Sequence, residues 1–131
     1  MKTCFFVKKL IPFISILLLL FSSCPSTDNQ DVSFKDKILP IFKAQCVRCH
    51  FDNASPGNLD LSTYESLMSG NSNHPDHLVV AGYPYQSLLY ESIASDEQTT
   101  LPYRMPQGGP YLQGIEIKLI EDWIYQGAKN N

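Results

Sequence analysis

The segment QCVRCHF (Gln45–Phe51) decides how the rest of this chain is interpreted. Cys46 and Cys49 are separated by two residues, and His50 follows the second cysteine directly. On a helical turn, this spacing places two sulfurs about as far apart as the two vinyl groups of a porphyrin. It also carries the histidine under the ring, where its imidazole can ligate iron. The segment therefore predicts covalent attachment of one c-type haem through Cys46 and Cys49, with His50 as an iron ligand.

Other uses of these cysteines remain open from the residues alone. A disulfide between Cys46 and Cys49 is possible in an oxidising compartment. A thioredoxin-like redox pair needs a βαβ context, which the sequence does not show. A zinc site would combine the two cysteines with His74 and His77, although the spacing of these histidines is shorter than usual and Pro75 lies between them.

The first part of the chain has the pattern of an export signal. It opens with three lysines, and Leu10–Phe21 is an almost unbroken apolar run, too short for a comfortable membrane span. Two serines and Cys24 follow, which resembles the lipobox of bacterial lipoproteins. The pattern predicts a signal peptide over residues 1–23 and a lipid on Cys24. An ordinary secretory signal and an uncleaved anchor are alternatives, and each of them places the domain outside the cytoplasm, in the periplasm or at the cell surface.

Processing at Cys24 would leave a flexible tether over residues 24–32 and one small domain over residues 33–131. Three of the ten Lys and Arg residues lie in the signal, so seven remain against 13 Asp and Glu residues, a formal charge of −6. This charge argues against a nucleic-acid surface and indicates that membrane contact comes from acyl chains. It also favours a redox partner with a basic contact face.

Helical patterns dominate the domain, and no convincing strand pattern is present. Pro40 fits the first turn of the first helix, Ser62 and Glu65 form a capping box for the second, and Gly70 suits its end. Gly127 ends the last helix. The predicted helices run from near Leu39 to Cys46, over Thr63–Ser69, from Pro84 to Ile93, and from Ile115 to Gly127.

Four blocks in a fixed order resemble a known family: ILPIFKAQCVRCHF, LDLSTYESLMSG, VVAGYPYQSLLYESI and RMPQGGPYLQGIEIKLIEDWIYQGA. Together they are similar to a class I-like monohaem cytochrome c domain of the planctomycete type, from about Ile38 to Ala128. The resemblance implies an all-α cytochrome c fold, with four or so short helices and long loops around one covalently bound haem. It also implies that the first and last helices cross.

The second axial ligand of the iron is predicted in the long loop before the last helix. Met105 occupies the position at which the resembled family carries its distal methionine, again followed by proline. The prolines on either side restrict the loop, so the thioether has little conformational entropy left to lose. His74 and His77 are the alternatives for a bis-histidine haem, and Met68 is expected to pack in the core.

Further polar groups are candidates for contacts to the haem. Arg104 and the hydroxyls of Tyr83 and Tyr103 could reach its propionates, with exposed surface positions as the alternative. The carbonyl of Pro56 could accept a hydrogen bond from the His50 ring, the kind of contact that fixes the tautomer of an iron ligand.

These features predict a membrane-tethered carrier of single electrons, with His50 and Met105 as axial ligands and an unidentified redox partner protein. A haem-based redox or gas sensor, in which Met105 is displaced, is one alternative. A haem-free zinc domain or disulfide scaffold is another. We expect no enzyme, because the chain shows neither a nucleophile–base pair nor the second haem motif that an exported c-type peroxidase would need.

Overall fold

A computed structural model describes residues 30–52, 54–69, 73, 75–94 and 101–131. Its helices are α1 (Leu39–Gln45), α2 (Tyr64–Met68), α3 (Leu88–Ile93) and α4 (Gly114–Tyr125). These residues contain no β-strand, and Phe51 and Asp60 form only an isolated antiparallel bridge. The predicted all-α fold is confirmed. The predicted signal peptide and Cys24 lie outside the described residues, and no helix within them is long and apolar enough to cross a membrane.

A helical turn beginning at Phe34 precedes α1. Ser33 caps it, because its hydroxyl accepts a hydrogen bond from the Asp36 amide at 3.1 Å. Phe34–Ile38 is a π-helical turn that leads directly into α1. Pro40 lies in the first turn of α1, as the sequence predicted. Its ring nitrogen carries no hydrogen to donate to the preceding π-helical turn.

Helix α2 has a different cap from the one predicted. The Thr63 hydroxyl, not that of Ser62, accepts a hydrogen bond from the Ser66 amide at 3.0 Å. Ser62 makes a different contact, in which its amide donates to the Asp60 carboxylate at 2.8 Å. The two hydroxyl residues are adjacent, and the local turn at Asp60 selects between them. The predicted C-terminal glycine, Gly70, lies outside the described residues.

The predicted third helix is broken at Ser87. A 3₁₀ turn covers Pro84–Gln86, Ser87 is extended, and α3 starts at the next residue. The buried Ser87 hydroxyl accepts a hydrogen bond from the Val80 amide at 2.8 Å and donates to the Tyr83 carbonyl at 3.0 Å. These contacts hold the chain out of helical geometry at Ser87, so the single predicted helix is wrong in this respect.

Both ends of α4 are closed by local hydrogen bonds. Gln113 and Glu116 form a capping box at its start, a signal that the sequence interpretation missed. At its end, Gly127 has a φ of +100°. The amides of Gly127 and Ala128 donate to the carbonyls of Ile124 and Trp123 at 3.0 and 2.9 Å, the pattern of a Schellman motif. The predicted stop at Gly127 is confirmed.

Aromatic rings join the first helix to the last. The Phe34 ring lies 5.4 Å from the Trp123 ring and 5.1 Å from the Tyr64 ring, measured between centroids. Phe42 packs edge-on against Phe34 at 6.3 Å. Trp123 is 1% exposed, so this cluster is the centre of the core. The last helix thus packs on the π-helical turn that precedes α1, whereas the predicted crossing of the first and last helices stays a prediction.

Residues 127–131, here called the C-terminal latch, fold back over the start of the first helix. The Asn131 side-chain oxygen accepts a hydrogen bond from the Phe34 amide at 2.9 Å, and its backbone oxygen accepts one from the Lys35 amide at 2.9 Å. The Trp123 indole donates to the Lys129 carbonyl at 2.9 Å. The latch therefore satisfies amides of a helical first turn, which have no partner within the helix.

Candidate functional site

The two cysteines lie on a turn that extends α1. The Cys46 amide donates to the Phe42 carbonyl at 2.8 Å, which continues the helical pattern beyond Gln45. The Cys46 carbonyl then accepts hydrogen bonds from the amides of Cys49 and His50, each at 3.0 Å. The turn therefore brings Cys46, Cys49 and His50 together, as the motif predicted, with Cys46 half-buried and Cys49 exposed.

The sulfurs of Cys46 and Cys49 are free thiols. Burial raises the pKa of the Cys46 thiol to about 11, and the negative charges of Glu116 and then Cys49 add to the effect. In the metal-free chain this sulfur is therefore protonated at neutral pH. No disulfide joins Cys46 and Cys49 in the structure.

The backbone of the loop after His50 is fixed by short-range contacts. The His50 carbonyl accepts a hydrogen bond from the Leu61 amide at 3.0 Å, and the Ser55 hydroxyl accepts two from the amides of Phe51 and Asp52, each at 3.1 Å. These bonds fold residues 51–52 and 54–61 back on the turn. Pro56 thereby comes next to the His50 ring.

The His50 imidazole is half-buried, and one of its two nitrogens has no hydrogen-bond partner. Burial lowers its pKa, and the Pro56 carbonyl opposes this effect more weakly. The Nδ1 atom is buried, and it is the one buried side-chain nitrogen or oxygen of the described residues without a hydrogen bond of acceptable geometry. The Pro56 carbonyl is therefore near enough to act on the ring charge but does not form a well-directed bond to Nδ1. The Pro56 carbonyl is the neighbouring acceptor for this nitrogen, and pairing Nδ1 with it would leave Nε2 as the ring nitrogen for a metal ion.

This geometry fits a covalently attached haem. Two thiols are presented from one turn, and the adjacent imidazole is half-buried with a carbonyl beside it, which is the usual arrangement for an iron-ligating histidine. Phe51 follows directly and is 56% exposed. An uncovered apolar side chain next to the thiols is suited to contact with an apolar macrocycle.

Met105 lies in the loop segment that precedes α4. Its amide donates to the Ser92 carbonyl at 2.7 Å, so the segment is attached to the end of α3. Its side chain is half-buried and packs against the same apolar core as Cys46. Met68, by contrast, is 36% exposed on α2, where Leu67 is the buried residue. The expectation that Met68 packs in the core is therefore wrong, because it lies on the outer side of its short helix.

The histidines of the zinc alternative are not gathered around the cysteines in the described part of the chain. His77 is exposed in a 3₁₀ turn, Pro75–His77, and His74 lies outside the described residues. Within the ranges that the structure describes, no group of three or more His, Cys, Asp or Glu side chains could hold a metal ion. Cys46 and Cys49 thus have no visible set of co-ligands for zinc.

The three residues predicted to reach the haem propionates lie in different surroundings. Arg104 is engaged within the protein, because its Nε donates to the Ile93 carbonyl at 3.0 Å and its guanidinium lies 4.6 Å from the Tyr111 ring centre. Tyr103 is 55% exposed. Tyr83 lines a surface cleft of about 360 Å³ between the Pro84–Gln86 turn and α4. Neither the cysteines nor His50 nor Met105 lines that cleft.

Comparison with known proteins identifies the segment that contains this site. Residues 46–106 match the family model described as Planctomycete cytochrome C. The match begins at Cys46 and includes Cys49, His50 and Met105. No curated protein and no solved structure gives a significant match. The motif, the helical fold and the family match over residues 46–106 together support a cytochrome c-type domain in this chain.

Proposed function

We propose that this protein carries single electrons on one haem c, attached through Cys46 and Cys49 and ligated by His50 and Met105. The observation that carries the proposal is the Cys46–His50 turn, which presents two thiols and a half-buried imidazole within the matched segment. When bound, a c-type haem supplies one-electron oxidation and reduction of its iron.

The residues of the chain have separate tasks in this proposal. Cys46 and Cys49 anchor the group from one helical turn, so its position relative to α1 is fixed. The backbone bond from Leu61 to the His50 carbonyl holds the histidine in place, and the nearby Pro56 carbonyl is the acceptor that would orient its ring. Met105 provides a thioether from a segment attached to α3. If His50 and Met105 both hold the iron, no coordination position would remain for a substrate, which favours electron transfer over enzymatic chemistry.

The experiment that tests axial ligation compares Met105→Ala with Met68→Ala. The exported, haem-loaded wild type should show the weak far-red band of methionine-ligated ferric haem, and Met105→Ala should lose it. Met105→Ala should also lower the reduction potential and bind CO rapidly when reduced, because an axial position is open. Met68→Ala, at an exposed methionine, should resemble the wild type. A wild type that binds CO rapidly and lacks the far-red band would instead support the sensor alternative.

We further propose that Cys24 carries a lipid and that residues 24–32 tether the domain to a bacterial membrane outside the cytoplasm. The apolar run before Cys24 and the small residues next to it support this reading. A labelled fatty acid supplied to the host should be incorporated into the wild type and not into Cys24→Ala. A wild type without the label would overturn the lipid assignment.

The acidic chain supports a partner with a basic contact face. The formal charge of the whole sequence is −3, and loss of the predicted signal would make it more negative. Charge complementarity mainly accelerates encounter, so electron transfer to a basic redox protein should slow as salt is added. A rate independent of ionic strength would contradict this part of the proposal.

A further inference from the structure

The end of α3 receives two hydrogen bonds from the segment that carries Met105. The last carbonyls of a helix lack partners within the helix. The Ser92 carbonyl accepts from the Met105 amide at 2.7 Å, and the Ile93 carbonyl accepts from Arg104 Nε at 3.0 Å. Two neighbouring residues thus attach to two neighbouring carbonyls, and the segment is aligned along the end of the helix.

Arg104 also contacts the far side of the same loop. Its guanidinium lies 4.6 Å from the centre of the Tyr111 ring, within the range of a cation–π interaction. Tyr111 precedes Leu112, which is buried in the core. One half-buried side chain therefore connects the end of α3 to the part of the loop that returns to α4.

The planar guanidinium suits this double contact. Its Nε donates in the plane of the group, while the face of the group remains free to stack on a ring. A lysine ammonium has the charge but neither the fixed donor direction nor the flat face. The hydrogen bonds to the end of α3 and the packing of the Met105 side chain against the core are the described contacts that position Met105.

We propose that Arg104 is a positioning residue that keeps Met105 on the haem iron by fixing its segment to α3 and Tyr111. The inference rests on the proposed function, because it assumes that Met105 is an axial ligand. It differs from the expectation that Arg104 pairs with a propionate: its side chain is directed to the protein's own carbonyl and ring. Arg104 thus acts on the iron only through Met105.

The test measures CO binding to the reduced, haem-loaded protein and the far-red band of the oxidised protein. Arg104→Met removes the donor and the charge and should accelerate CO binding about tenfold or more, since loss of a hydrogen bond from a charged group weakens the segment by that order. Arg104→Lys should fall between this variant and the wild type. Tyr111→Phe keeps the ring face and should match the wild type, whereas Tyr111→Leu should accelerate CO binding by a smaller factor.

Thr63→Ala is the control for general destabilisation. It removes the cap of α2, which has no described contact with Arg104, and should lower the melting temperature without changing CO binding. If Arg104→Met and Tyr111→Leu bind CO as slowly as a wild type that shows the far-red band, the inference is overturned and the proposed ligation stands. A wild type without that band overturns both. If Thr63→Ala binds CO as fast as Arg104→Met, the effect of Arg104 is one of general stability, and the inference is overturned.

Discussion

The two ends of α4 differ in whether the polar groups near them find partners within the chain. At its C-terminal end, the latch supplies partners for the Phe34 and Lys35 amides, and the Trp123 indole finds the Lys129 carbonyl. Near its N-terminal end, the Glu116 carboxylate lies close enough to raise the pKa of Cys46, beside a histidine with an orphaned buried nitrogen. The groups at the first end pair with one another. The helix start at the second end is capped as well, but the thiols beside it are free and His50 Nδ1 has no hydrogen bond.

This difference separates a structural region from a functional one. The hydrogen bonds and ring contacts of the latch region join the chain's own groups, so we expect their loss to change stability. The Cys46–His50 turn retains two free thiols and an exposed Phe51. Natural proteins keep such unsatisfied features chiefly where a ligand completes them. The contrast leads us to expect different consequences when each region is altered.

The largest effect is expected from Cys46→Ser/Cys49→Ser. Loss of both thiols should prevent attachment of haem. The apolar side chains that haem would cover should then face water and destabilise the domain, because so short a chain buries only a small core. Thermal unfolding followed by far-UV circular dichroism should show a much lower and broader transition than that of the loaded wild type. Cys24→Ser removes a cysteine outside the domain and serves as the matched control. An unchanged transition in the double variant would contradict the view that this region needs a ligand.

The next largest effect is expected from Trp123→Ala in the structural region. The indole is 1% exposed and contacts Phe34, so its removal should cost about 3–5 kcal/mol of unfolding free energy. Ile115→Ala, at a 64% exposed position of the same helix, should cost within about 0.5 kcal/mol. Chemical denaturation of the haem-loaded proteins measures both. Far-red bands of equal intensity in the two variants would show that the structural region does not affect methionine ligation of the iron.

The smallest effect is expected from Asn131→Ala. This variant removes the side-chain acceptor of the Phe34 amide but keeps the backbone carbonyl that binds Lys35. The expected loss is about 0.5–1.5 kcal/mol, the usual net value of one hydrogen bond. Asn130→Ala is the neighbouring control, because its contact to Glu65 is exposed at 3.2 Å and should contribute little. Equal stability of the two variants would show that the latch does not cap the first helix.

Much of the fold follows from local signals in the sequence. Pro40 predicts the start of α1, isoleucines at helical spacing predict α4, and Gly127 predicts its end, because each depends on neighbours along the chain. The pair Gln113 and Glu116 was an equally local signal for the start of α4, with the spacing of a capping box.

Other features depend on contacts between distant residues and were not predictable. Ser87 interrupts a helical pattern because its buried hydroxyl binds Val80, which no periodicity reveals. Asn131 binds Phe34 across almost the whole domain. For the site, C-x-x-C-H predicts a turn that the structure contains, whereas the contacts of Arg104 with Ile93 and Tyr111 appear only in three dimensions.

The central claim is that haem completes the Cys46–His50 turn through covalent bonds to both cysteines. The most direct measurement is the visible spectrum of wild-type protein, exported from a host with cytochrome c maturation and recorded oxidised, reduced and then denatured. We expect a sharp reduced α-band and colour that stays with the denatured chain, because thioether bonds survive unfolding. A folded but colourless protein would contradict the account, and zinc analysis of the same sample would then test Cys46 and Cys49 as metal ligands.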